Sequence, residues 1–136
     1  MAIYTLLYAS RARVTGAEAE GAVEDIVHGS RARNAGLGVT GALLFSGGHF
    51  AQWLEGSRAG VDELMQSIAR DPRHTGIAIL GTETAAARRF PDWTLAYAGS
   101  STFVDGALAD ALDERPADPS LRARRIRSLL EEFAAA

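Results

Sequence analysis

Three polar side chains sit where the surrounding sequence is apolar: Tyr8, Asn34 and Gln52. Gln52 lies in "FAQWLEG" (residues 50–56), where strand alternation puts Phe50, Gln52 and Leu54 on one face. Phe and Leu mark that face as buried. Burying an amide without partners costs about 1–3 kcal/mol, so either a neighbouring side chain or a ligand must bond it. Tyr8 closes an apolar strand stretch, and Asn34 closes the stripe of a helix. Taken singly, a strand tyrosine reads as core and an asparagine at a helix end as a cap. Taken together, a phenol and two amides converging between helix and sheet suit a flat heteroaromatic ligand with hydrogen-bonding groups along one edge.

Other chemistries have little support. His28, His49 and His74 show no HxxxH or HxH spacing, so no metal site is expected. The glycines form neither GxGxxG after a strand nor GxxxxGK[ST]. Glu55 falls on the strand face opposite Gln52, which argues against a carboxylate dyad. With 0 cysteines there is no disulfide, thiolate ligand or cysteine nucleophile. "RARRIR" (122–127) is followed at once by acidic residues, including Glu131 and Glu132, and reads as a solvated helix face.

Seven elements are needed to position the three polar groups. Ile3 to Ala9 is a strand apolar on both faces, so both are expected to be covered. Thr15-Gly16-Ala17-Glu18 fits a capping box opening a helix. Val23, Ile26, Val27, Ser30 and Asn34 form its stripe, and Gly36 and Gly38 close it. "VTGALLFS" and "HFAQWLE" flank Gly47-Gly48, a hairpin signal. Ser57 caps a second helix with the stripe Val61, Leu64, Met65 and Ile68, ended by Asp71 to His74. Gly76 to Leu80 and Trp93 to Ala98 read as further strands, with Trp93, Leu95 and Tyr97 on one face. The order βαββαββ predicts an α+β, ferredoxin-like sheet with two helices on one face. Val104 to Glu114 and Pro119 to Phe133 then read as two C-terminal helices, the second striped by Leu121, Ile126, Leu129, Leu130 and Phe133 and suited to the free sheet face.

The totals agree with one domain. The 136 residues carry 47% hydrophobic and 23% charged side chains, an ordinary globular mix. A net charge of −3 argues against general affinity for nucleic acid or anionic membrane. No apolar run is long enough to span a bilayer, and no leader pattern is present, so a cytoplasmic location is expected.

"LLYAS", "ARNAGLGVTGALLFSGGHFAQWLEG", "DPRH" and "RRFPDW" resemble, in order and spacing, the BLUF domain, a blue-light sensor using FAD. The resemblance covers roughly Ala2 to Ser100, which sets an expected photosensory domain at 1–100 and a helical extension at 101–136. It implies that Tyr8 is the photoactive tyrosine, Asn34 the flavin anchor and Gln52 the switching glutamine. It places Ser30, Asp71, Arg73 and His74 around the flavin and matches Trp93 to a tryptophan of the last strand; the apolar walls of the slot, read from the helix stripes, are Ile26, Val27, Met65 and Ile68. Leu95 departs from the pattern, standing where many relatives carry Met. The implied mechanism has Tyr8 give up an electron while its proton follows through Gln52. The amide is then left more strongly bonded to the flavin C4=O edge, and absorption shifts to the red without a covalent bond. No cysteine is available for an adduct-forming alternative.

The leading expectation is thus a non-enzymatic FAD photoreceptor acting on a separate protein partner, and assembling as a homo-oligomer, a dimer. The alternatives are a flavin-dependent reductase of ferredoxin-like fold and a plain ligand-binding module.

Overall fold

The computed structural model describes residues 2–14, 17–99, 101–112 and 119–134. The elements run β1 (Ile3–Ala12), α1 (Ala17–Leu37), β2 (Thr40–Ser46), β3 (His49–Gly56), α2 (Arg58–Arg70), β4 (His74–Ala85), β5 (Trp93–Gly99), α3 (Thr102–Leu112) and α4 (Pro119–Ala134). The strands form one sheet ordered β4-β1-β3-β2-β5, in which β5 runs parallel to β2 and the other pairs are antiparallel. This is the expected α+β, ferredoxin-like arrangement, with β1 and β3 as central neighbours.

Alternation along β1 sorts its side chains between two cores. Leu6 and Tyr8 join Leu54 of β3 and Val61, Leu64 and Ile68 of α2. Leu7 and Ala9 face the other way, against Trp53, Leu108, Ile126 and Leu130. A third cluster under α1 holds Val23, Leu43, Phe45 and Phe50. The signature glycine Gly41 has a steric reason: a Cβ there would lie 1.8 Å from the Trp53 carbonyl oxygen, so only glycine lets β2 approach β3 this closely.

The helix boundaries largely follow the sequence. Ser57 caps α2, its hydroxyl accepting from the Gly60 N–H at 3.0 Å. In α1, Val23, Ser30 and Asn34 are buried and Ile26 and Val27 half-buried. Gly36 proves to be inside α1, which runs to Leu37 before Gly38 turns the chain. Thr15 of the expected capping box lies outside the described residues, as does Glu114.

Three differences concern strands and the last helix. β4 starts at His74 because β1 reaches Ala12, and it continues past Leu80 to Ala85 because its far half pairs with Ile3 to Leu7. In β5 the register steps from Leu43↔Leu95 to Leu44↔Tyr97. Ala96 is an inserted bulge residue there, and it turns Tyr97 to the α4 side, its ring 4.9 Å from Phe133. Trp93 and Leu95 stay with the α1 cluster, so the three residues do not share a face. In α4, Ile126, Leu129 and Leu130 are buried, but Leu121 is 56% exposed and lies off the stripe.

No helix among the described residues is long and apolar enough to cross a membrane.

Candidate functional site

The β1–β3 register makes Tyr8 and Gln52 direct cross-strand partners on the face beneath α1 and α2. At that spacing the Tyr8 hydroxyl donates to Gln52 Oε1 at 2.7 Å, with both residues buried. Burial pushes the Tyr8 pKa well above the ordinary phenol value; the Asp71 charge adds to the effect and Arg33 opposes it. Tyr8 is therefore held as the protonated donor. Among the described residues no protein group accepts from Gln52 Nε2, so half of this buried amide is committed and half is open.

Gln52 borders a narrow cavity of about 30 Å³. Its sheet side is Tyr8, Leu43, Phe50 and Gln52. α1 supplies Ile26, Ser30 and Arg33, α2 supplies Ile68, and the α2–β4 connection supplies Asp71, Arg73 and His74. Eight residues singled out from sequence thus meet here: Tyr8, Ile26, Ser30, Gln52, Ile68, Asp71, Arg73 and His74.

Asn34 and Trp93 lie beside the cavity and do not line it. In the orientation that satisfies both amide ends, Asn34 Nδ2 donates to the Ser30 carbonyl at 3.1 Å and Oδ1 accepts from Trp93 Nε1 at 3.0 Å. Asn34 consequently ties the end of α1 to the start of β5. The residues not anticipated are Arg33, Leu43 and Phe50. Leu43 pairs with Gln52 across β2–β3, which a hairpin register could have revealed. Phe50 read as plain core, and Arg33 was not singled out.

The connection after α2 is rigidly built. Arg73 Nε donates to both Asp71 carboxylate oxygens, at 2.8 and 3.1 Å, and Nη2 donates to Oδ2 at 2.5 Å. This guanidinium holds the Asp71 carboxyl below the usual carboxylate range, and Asp71 raises the Arg73 pKa in return. His74 Nε2 lies 2.7 Å from the Ile68 carbonyl, which can only accept, so Nε2 carries a proton. Nδ1 meets the buried Ser10 hydroxyl at 2.7 Å. The imidazole is thereby fixed 6.2 Å from the Tyr8 ring and 5.9 Å from Phe50.

Glu55 faces the opposite side of the sheet, as its position requires, and is wholly buried. Its carboxylate accepts from Trp53 Nε1 at 2.9 Å, Arg89 N at 2.7 Å and Phe90 N at 2.8 Å. Arg88 reinforces the same loop, donating to Thr40 Oγ1 at 2.6 Å and the Glu55 carbonyl at 2.9 Å. These bonds are structural: they fix the loop that leads into β5.

Comparison with known proteins gives this geometry a family. The family model for sensors of blue light using FAD matches residues 3–96. The blue light- and temperature-regulated antirepressor BluF of Escherichia coli (strain K12) is 41% identical over 86 residues, 63% of this chain but only 21% of that protein. This chain therefore spans about a fifth of that relative's length. Among solved structures, the dark state of BlrB, a BLUF protein, is 33% identical with a TM-score of 0.72, covering 98% of this chain and 97% of that one. The photo-activated state of BlsA shares the fold at a TM-score of 0.75 and 24% identity, covering 100% and 96%. The chain belongs to the BLUF family, the sensors of blue light using FAD.

Proposed function

We propose that this chain reports blue light through a switch made of Tyr8 and Gln52, with FAD held between α1, α2 and the sheet. The chemistry of the wall suits a flavin: apolar faces from Ile26, Leu43 and Ile68, polar groups from Ser30, Arg33, Asp71 and Arg73, and one open amide end at Gln52. That lining marks the space between α1, α2 and the sheet as the place for the flavin ring system. Asn34, one turn beyond Ser30 on α1 and bonded to Trp93, would anchor the flavin from that helix end.

The bound flavin supplies absorption of blue light and, when excited, an acceptor for one electron. Tyr8 is the buried aromatic donor nearest the switching amide, and its proton has one exit, along the 2.7 Å bond to Gln52 Oε1. When electron and proton return to Tyr8, the Gln52 amide settles with its donor and acceptor ends exchanged, by rotation or tautomerisation. The end facing the cavity then offers a different hydrogen bond, which shifts absorption to the red.

The single observation behind this reading is the buried Tyr8–Gln52 bond combined with the open Nε2 end. Residues 1–100 act as the photosensory unit, and 101–136 as the extension that passes the change to a separate protein partner. Absorption spectra of the purified, FAD-loaded protein before and after blue light test the reading. A reversible red shift supports it; a flavin spectrum unmoved by light, or bleached as in a reductase cycle, overturns it.

A further inference from the structure

We propose that His49 and Asp105 form a latch that clamps the β2–β3 hairpin onto the first turn of α3, giving the sheet a second mechanical link to the C-terminal helices beside β5. The inference builds on the switch above, because His49 stands three residues before Gln52 on β3.

The hairpin end and the start of α3 are already in close contact. Ser101 N donates to Ser46 Oγ at 3.1 Å, and Gly47 N donates to the Gly99 carbonyl at 3.0 Å. The Asp105 carboxylate sits over Gly47, whose φ is 60°. A Cβ at Gly47 would come within 2.6 Å of both carboxylate oxygens, and the positive φ favours glycine there, so a larger residue would strain the turn and displace the Asp105 carboxylate.

Two polar atoms in this contact have no partner among the described residues: His49 Nδ1 and Asp105 Oδ1, both buried. One is an obligate acceptor, and the other donates in the Nδ1–H tautomer. In the latch, a side-chain rotation or one bridging water would pair them. The charged groups facing His49 are Asp105 from α3 and Arg11, its cross-strand partner on β1; β2 contributes uncharged Ser46 and Gly47 at the turn. Burial carries the His49 pKa below the ordinary histidine value, Asp105 opposes this, and Arg11 adds to it. The lowered pKa favours the neutral ring, which donates from Nδ1 in its Nδ1–H tautomer.

The test is a double-mutant cycle on the full FAD-loaded chain, in the dark, using His49→Ala, Asp105→Ala and the pair, read from denaturant unfolding. The latch predicts non-additivity of at least about fivefold in the unfolding equilibrium constant; changes additive within about twofold overturn it. Should a variant fail to fold, imidazole ¹⁵N NMR reads the same contact. The Nδ1–H tautomer in wild type, perturbed in Asp105→Asn, supports the latch, and an Nε2–H tautomer indifferent to that substitution overturns it. Both measurements need no light response, so their failure is separable from failure of the photoswitch.

Discussion

At the scale of residues, the proposed switch consists of one phenol and one amide, both buried and bonded to each other. Tyr8→Phe removes only the hydroxyl, so we expect the fold and flavin binding to survive and the reversible red shift to disappear from the difference spectrum. Because the folded-state pKa of Tyr8 is raised above 10.0, the residue contributes stability that is present below that pH and is lost as pH rises past it. The photoresponse should accordingly be insensitive to Tyr8 ionisation between about pH 6 and 9, as spectra across that range would register. Asn34→Ala should weaken flavin affinity about threefold to tenfold in a titration of the apoprotein, the worth of one hydrogen bond. The two buried polar groups at Tyr8 and Gln52 were legible because strand alternation exposes an amide on an apolar face. The Asn34–Trp93 bond was not, since it joins positions 59 residues apart through a helix end and a strand start that no local pattern relates.

At the scale of elements, sequence periodicity located every strand and helix but not the irregularities that aim side chains. The Ala96 bulge is the clearest case: simple alternation puts Tyr97 beside Leu95, whereas one unpaired residue sends it through to α4. β5 thus touches α1 through Trp93 and α4 through Tyr97, which makes it a direct connection between the two faces of the sheet. The end of β4 was also missed, because "TETA" is polar and its strand character comes from pairing with β1 rather than from its own composition. Glu55 belongs to this scale too. Its carboxylate gathers two backbone N–H groups and an indole, so Glu55→Gln should cost about 1–3 kcal/mol in denaturant unfolding by turning a donor toward donors. The red shift should remain, because the loop it anchors lies on the face away from Tyr8.

At the scale of the molecule, one sheet separates the α1–α2 side, where the flavin is proposed to bind, from the α3–α4 side, and apolar clusters fill both. The helical extension looked like a cover from its sequence stripe. In the structure it contributes Leu108, Ile126 and Leu130, all at 0% exposure, to a cluster shared with Trp53 and Leu44. Leu130→Ala should therefore cost about 2–5 kcal/mol in unfolding, although Leu130 lies on the side of the sheet opposite the switch. Removal of 101–136 strips that apolar face, and we expect aggregation unless it is covered. Light-dependent hydrogen exchange at Trp93 to Tyr97 and in α4 would show the change crossing the sheet along β5. The central claim, that the Gln52 amide is the switch, is tested most directly by the light-minus-dark absorption spectrum of FAD-loaded Gln52→Leu beside wild type. Leu approximates the volume of Gln but offers no donor or acceptor, so the variant should keep its flavin absorption and show no reversible red shift, while wild type shifts and recovers in the dark. A Gln52→Leu protein that cycles with the full shift would contradict the account.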